Sequence, residues 1–266
     1  MLKQRLLTAA VLMPLLLAAM FFLPGLWWQL LLVLPVAIAA HEWARLVHFS
    51  RLAEALFLFA LLTAIALVGM YAGTAAAVAH NGTSTVAQVV FGFCVAFWLI
   101  VVPCWLWLKI PVRSRWVLGI CGLVVLVPTW LAFAQLQRDP LLLLFLLGVV
   151  WIADTAAYLF GRAFGRHKLA PQISPGKTWE GVAGALATVT VYALILAGTT
   201  GRSSGFLVAT FLGMTVFSIV GDLFESWLKR TAGVKDSGAI LPGHGGMLDR
   251  IDALTSALPL AGLIFV

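Results

Sequence analysis

The sequence predicts an all-α, polytopic integral membrane helix bundle of about nine transmembrane helices. Three observations lead there: 62% of the 266 residues are hydrophobic, only 10% are charged, and the apolar residues fall in long uninterrupted runs. A soluble domain carries about 25% charged residues, so a soluble enzyme, a disordered tail and a coiled coil are all excluded. Strict alternation of the transmembrane-barrel kind is absent, which leaves helices as the spanning element. The three cysteines, Cys94, Cys104 and Cys121, form no C-x-x-C pair and indicate neither a disulfide framework nor a zinc site.

A span needs about 20 apolar residues, and nine runs approach that length: 6–23, 25–41, 53–73, 86–108, 116–135, 140–160, 179–199, 205–228 and 251–266. The first follows Lys3 and Arg5 in the manner of a secretory signal. Without a convincing cleavage site, and with eight more runs behind it, it reads as a retained helix. Pro24-Gly25, Asn81-Gly82 and Asp139-Pro140 punctuate the joints. No repeat or linker divides the chain, so residues 1–266 are expected to form one integral domain. Residues 1–150 would be mainly hydrophobic scaffold and 151–266 would carry the chemistry.

With the N-terminus cytoplasmic, all 17 Lys and Arg residues except Arg138 and Arg202 fall on the cytoplasmic side. That bias is the topology signal of membrane proteins. The net charge of +7 therefore records orientation, and an anionic membrane surface is its partner rather than nucleic acid. A bacterial inner membrane, with any active site on the cytoplasmic face, is the expected location.

The acids are distributed differently. Asp154, Glu180, Asp222, Glu225, Asp236, Asp249 and Asp252 all lie beyond residue 150. Asp154 falls well inside the sixth run, and Asp222 and Glu225 near the end of the eighth. An ionisable residue at such depth disfavours insertion by about 2.5–3.5 kcal/mol and normally faces a cavity or a partner. Asp222, Glu225, Ser226 and Lys229 share one helix face by their i, i+3, i+4, i+7 spacing. Glu225 is also spaced for an i, i+4 pair with Lys229. Asp249 and Asp252 occupy a helix start, where the dipole favours acids. Glu42 is expected at the interface, paired with Arg45. Several carboxylates at one face suit a hard cation such as Mg²⁺.

Two loops have the composition of phosphate sites. Residues 161–181 contain Ser174, Gly176, Lys177 and Thr178 directly before a helix, where backbone N–H groups and a cation suit phosphate. The segment is not a P-loop, because Pro171 stands where that motif wants glycine. Residues 226–252 combine Lys229, Arg230, Lys235 and Arg250 with Gly243, Gly245 and Gly246, and His244 stands between glycines. A nucleoside triphosphate with Mg²⁺ fits that composition.

Ser226, Lys229-Arg230, Lys235-Asp236, Pro242, His244-Gly245-Gly246, Asp249-Arg250 and Asp252 together resemble the signature of the phosphatidate cytidylyltransferases (CDP-diacylglycerol synthases). Trp151-Ile152-Ala153-Asp154-Thr155-Ala156-Ala157-Tyr158 and His167 through Gly181 resemble further blocks of that family. The opening Met-Leu-Lys-Gln-Arg-Leu resembles its bacterial members. The resemblance implies transfer of the cytidylyl group of CTP to phosphatidate, with Mg²⁺ and a second cation such as K⁺. It implies Asp222 and Asp249 as metal carboxylates, and Lys177 beside them in catalysis. Substrate contacts would come from Ser174, Gly176, Ser226, Lys229, Arg230, Lys235 and Arg250. Asp236, His244, Gly245, Gly246 and Asp252 would shape the nucleotide pocket, with Asp154 as a further acid on the substrate side. CTP, phosphatidate and the bilayer are the expected partners, and a homodimer is compatible with them. A cation- or proton-coupled transporter is the competing class; its acids should lie on broken mid-membrane helices within repeats, and no repeat is visible.

Overall fold

The computed structural model describes residues 2–78, 84–108, 114–240 and 245–266, with only the backbone described for residues 2–9, 12 and 73–78. The chain runs α1 (Leu2–Phe22), α2 (Gly25–Leu46), α3 (Arg51–Val78), α4 (Thr85–Ala96), a π-helical turn (Phe97–Val101), α5 (Val102–Leu108), α6 (Arg115–Leu136) and α7 (Pro140–Phe164). Strands β1 (Lys168–Ala170) and β2 (Ser174–Thr178) follow, then α8 (Trp179–Thr200), α9 (Ser204–Thr231), α10 (Leu248–Ile251) and α11 (Leu254–Phe265). Among the described residues seven helices are long and apolar enough to cross a membrane, counting Thr85–Leu108 as one. Their outward faces carry large apolar side chains such as Trp27, Phe59, Phe93 and Trp107, as a lipid-facing surface requires.

The ninth expected span takes a different form. Helix α11 has 12 residues, about 18 Å of helix against a hydrocarbon core of about 30 Å. It lies inside the bundle against α4, α6 and α9, with Ala257, Leu258 and Ala261 fully buried. The apolar run after Asp252 is thus interior packing. The described apolar part of α1 is Met13–Phe22.

The π turn has a local cause. Pro103 removes a backbone donor and its ring crowds the carbonyl four residues earlier, and the wider turn just before it absorbs the mismatch. The turn brings Phe97 and Trp98 edge-on to Phe224, at centroid distances of 6.1 and 5.5 Å. Trp43, Trp105 and Trp227 complete the ring around Phe224. This aromatic socket clamps one side of α9, so its opposite side presents Asp222, Glu225, Ser226 and Lys229 to the interior.

Close helix approaches place the remaining acids. Added Cβ atoms at Gly181 and Gly184 would meet the Ala157 carbonyl at 2.6 Å and the Phe160 ring at 2.2 Å, so small residues let α7 and α8 touch. At Gly221 a Cβ would meet the Ser256 hydroxyl at 2.5 Å and the Asp252 carbonyl at 2.8 Å. The start of α11 is therefore pressed onto α9 beside Asp222, and Ser256 donates to the Phe217 carbonyl at 2.7 Å across that contact.

Candidate active site

Two polar assemblies occupy the same end of the bundle. The inner one is a lock on the glycine-rich segment between α9 and α10. Asp249 Oδ1 accepts from Lys229 Nζ at 2.6 Å. Its Oδ2 accepts from the Ser237 amide and hydroxyl, both at 3.0 Å, and from the Gly246 amide at 2.8 Å. Glu42, on α2, is 1% exposed. It accepts from the Met247 and Leu248 amides at 3.0 and 2.8 Å and lies 3.0 Å from the Ser237 hydroxyl, whose single proton it shares with Asp249. Two carboxylates thus satisfy the backbone donors of a turn that would otherwise be buried unpaired.

The glycines are required by this packing. Gly245 has φ +85°, and a Cβ there would lie 2.9 Å from the Asp249 carboxylate. A Cβ at Gly238 or Gly246 would strike Glu42, at 2.3 and 2.5 Å respectively. Glu42 is the residue of the lock that the local sequence reading missed: its partners are some 200 positions away and not Arg45. The available signal was an acid near the end of an otherwise apolar helix. His244 and Gly243 lie outside the described residues.

Lys229 is the cation of the lock, bridging Asp249 to Glu225, whose carboxylate is 3.4 Å away. Burial alone raises the Asp249 carboxyl, but the Lys229 ammonium and the Gly246 and Ser237 amides outweigh it and hold it below the usual carboxylate range. The i, i+4 pairing of Glu225 with Lys229 is therefore present, and Asp249 joins it.

The outer assembly is open. Lys177 Nζ lies 2.6 Å from Asp222 Oδ2, with side chains 24% and 30% exposed. Asp222 Oδ1 also accepts from the Ser226 hydroxyl at 3.2 Å. Asp154 is within electrostatic range of Lys177, Asp222 and Asp252. Asp154 is ten residues before the end of α7 and Asp222 nine before the end of α9, about 13–15 Å along each helix. Asp154 and Asp222 are therefore carried on two of the membrane-spanning helices, and both side chains are accessible in part.

Lys177 is delivered by a β-hairpin that the expected all-α fold lacked. Strands β1 and β2 pair antiparallel, Lys168 with Thr178 and Ala170 with Ser174. Glu180 anchors the connection by accepting from the Arg166 and His167 amides and contacting His167 Nδ1 at 2.7 Å. Thr178 caps α8 by accepting from the Gly181 amide at 3.2 Å. The Ser174–Thr178 stretch is extended, and what it brings to Asp222 is the Lys177 ammonium rather than a row of helix-start amides. Gly176 is exposed with open space around it. Arg230 ties the hairpin down, donating to the Ile173 and Val234 carbonyls at 3.4 and 3.0 Å. Lys235, Asp236 and Arg250 are exposed.

Asp222 and Asp249, expected to share one ion, are each closed by a different lysine. Among the described residues no group of three His, Cys, Asp or Glu side chains is placed to hold a metal alone. The open carboxylate of Asp222, with Asp154 and Asp252 near it, nevertheless supplies the hard oxygen donors that suit Mg²⁺, which keeps waters and takes phosphate oxygens as its other ligands.

The depressed Asp249 carboxyl makes a stability prediction with a definite sign. Its contribution is complete above the unfolded value of about 4 and is lost as pH falls through the lower folded value. Asp249→Asn should destabilise the purified protein at pH 7 by about 3 kcal/mol, as expected for breaking a buried pair. In thermal unfolding scans the gap to the parent should narrow below about pH 4. A gap independent of pH would show that the Asp249 charge does not hold the loop.

The model of the cytidylyltransferase family matches residues 3–266. A phosphatidate cytidylyltransferase of Pseudomonas aeruginosa is 40% identical, over 98% of this chain and 95% of its own. One from Haemophilus influenzae is 34% identical, over 97% and 96%. One from Brucella suis is 48% identical over 127 residues, 46% of this chain and 47% of its own. With near full-length agreement on top of a locked glycine loop and an open Lys177–Asp222 pair, the chain belongs to the cytidylyltransferase family.

Proposed function

We propose that this chain transfers the cytidylyl group of CTP to phosphatidate, giving CDP-diacylglycerol and pyrophosphate, at the cytoplasmic face of a bacterial inner membrane. The observation that carries the reading is the exposed Lys177–Asp222 pair. A metal–phosphate unit is itself a pair of opposite charges. Lys177 would hold a phosphate and Asp222 would hold Mg²⁺ when these are bound, in place of the ion pair the two side chains make with each other.

A phosphate oxygen of phosphatidate attacks the α-phosphorus of CTP as the bond to the β-phosphate oxygen breaks and pyrophosphate leaves. The attacking oxygen is already anionic at neutral pH, so no Ser, Cys or His nucleophile is required. A bound Mg²⁺ would neutralise charge on the triphosphate and polarise the α-phosphoryl group. Lys177 holds a phosphate, and Asp154 and Asp252 extend the acidic wall. Lys229 keeps Asp249 closed, so Asp249 would hold a metal ion only if it gave up that lysine. Ser226 orients Asp222, while Ser174 and Gly176 shape the strand that carries Lys177. Lys235, Arg250, Gly245 and Gly246 are assigned to the nucleotide, as is His244, which lies outside the described residues. Water supplies CTP at the open end, and the lipid enters laterally between helices. A transporter reading has no comparable support, and a homodimer or a K⁺ ion would be additions to this scheme.

Purified protein in detergent micelles should transfer label from the α-phosphate of CTP into lipid. The β- and γ-phosphates should remain water-soluble. Transfer should stop in chelator and return with Mg²⁺. Label from the γ-phosphate appearing in lipid, or transfer indifferent to chelator, would refute the reaction.

Orientation has its own check. Single cysteines at residues 170 and 240 should react with impermeant reagents only from the cytoplasmic side, and one at 203 only from the opposite side. Residue 240 reacting from outside would separate the loop from CTP and defeat the reading.

A further inference from the structure

Helix α7 carries a polar stripe that continues past Asp154 to the helix end. Asp154, Tyr158 and Arg162 stand at i, i+4 and i+8, so each is about one turn further along the helix and only about 40° further around it. Arg162 lies at the same end of the bundle as Lys177. Its flanking glycines touch Thr178, the residue after Lys177: a Cβ at Gly161 would be 3.0 Å from the Thr178 hydroxyl, and one at Gly165 2.8 Å from its methyl group. Long side chains on a helix lean back toward its N-terminus. Arg162 does so here, its Nη1 donating to the Tyr158 hydroxyl at 3.4 Å, so the guanidinium is drawn toward the turns that bear Asp154. Both side chains are exposed, and among the described residues no carboxylate pairs with Arg162. A guanidinium has several N–H groups, and most of those on Arg162 remain open to a ligand. The Tyr158 oxygen accepts from Arg162, which leaves its own proton to be donated outward.

The depth of this pair in the membrane points to its ligand. Tyr158 and Arg162 occupy the last two turns of the Pro140–Phe164 span, where aromatic and basic side chains meet lipid headgroups. Leu159, Phe164 and Trp179 are exposed large apolar side chains on the same end of α7 and the start of α8, and they suit acyl chains. A soluble triphosphate gains nothing from such neighbours, whereas a lipid phosphate is held at this depth by the bilayer itself. We propose that Arg162 and Tyr158 form the subsite for the phosphate monoester of phosphatidate, seating it beside the hairpin strand that carries Lys177. This rests on the cytidylyl-transfer reading and deepens it. The arginine fork engages a pair of phosphate oxygens at once. A phosphate monoester has a further terminal oxygen, which stays free to attack. A phosphodiester headgroup has none left over, so the subsite separates the substrate from the other anionic phospholipids around it.

The test measures KM for phosphatidate, as its mole fraction in detergent micelles, and KM for CTP in the full-length protein. Arg162→Gln should raise KM for phosphatidate at least tenfold with KM for CTP unchanged. Tyr158→Phe should raise it about threefold, and Arg162→Lys should fall between the parent and Arg162→Gln. Thermal stability should stay at the parent's value in all of them, because both side chains are exposed. Arg115→Gln, which removes a cation at the start of another helix, should leave both constants within twofold. A KM for phosphatidate within twofold of the parent in both Arg162→Gln and Tyr158→Phe overturns the subsite and leaves the reaction standing. A rise confined to KM for CTP overturns it in favour of a triphosphate contact. An Arg115→Gln variant as impaired as Arg162→Gln overturns it in favour of a general surface-charge effect. A parent that transfers nothing from CTP removes the reaction, and the subsite with it.

Discussion

The buried ammonium of Lys229 is the interaction on which the rest of the site depends. It lies between Asp249 and Glu225, with Asp252 acting on it electrostatically. Taking such charges out of water is unfavourable, and an ion cluster of this kind persists only where geometry and extra hydrogen bonds compensate. Here they do so through the Ser237, Gly246, Met247 and Leu248 donors that Asp249 and Glu42 share. The aromatic socket around Phe224 fixes the rotation of α9, so Lys229 meets the loop in one register. Without the lysine, the carboxylates would repel and the glycine turn would lose its template.

This arrangement divides the site into a fixed half and an exchangeable half. Within the lock, the buried carboxylates of Asp249 and Glu42 each accept several hydrogen bonds from the loop, which preorganises it before any substrate arrives. The Lys177–Asp222 pair is partly exposed and makes few other contacts, so its charges are available to be traded. Placing exposed acids such as Asp154 within the depth of the bundle is reasonable only along a polar cleft. That is where a water-soluble triphosphate has to meet a lipid headgroup.

The parts of this design that were legible in the sequence are those with local signals. Apolar runs located the long helices, and i, i+3, i+4, i+7 spacing placed Asp222, Glu225, Ser226 and Lys229 on one face. Lys177 stood out between glycine and a helix start. What stayed hidden was tertiary. Glu42 looked like a partner for Arg45 because only near neighbours are visible in a sequence; its actual donors come from the far end of the chain. The β-hairpin gives no alternating pattern, since Ser174–Thr178 contains proline and glycine and its form depends on pairing and on Glu180. The run after Asp252 read as a span because hydropathy does not distinguish lipid from protein interior.

Lys177 and Asp222 act as placeholders for substrate charge rather than as a structural salt bridge. A charge-swapped protein, with Lys177→Asp and Asp222→Lys together, tests this most directly. It keeps opposite charges facing each other but offers a carboxylate to the phosphate and an ammonium to the metal. The swapped protein should retain the parent's thermal stability and lose at least 99% of CTP-dependent lipid labelling, about 2.7 kcal/mol or more in the barrier. Recovery of labelling to within a few-fold of the parent would show that the pair only braces the hairpin against α9, and would contradict the account.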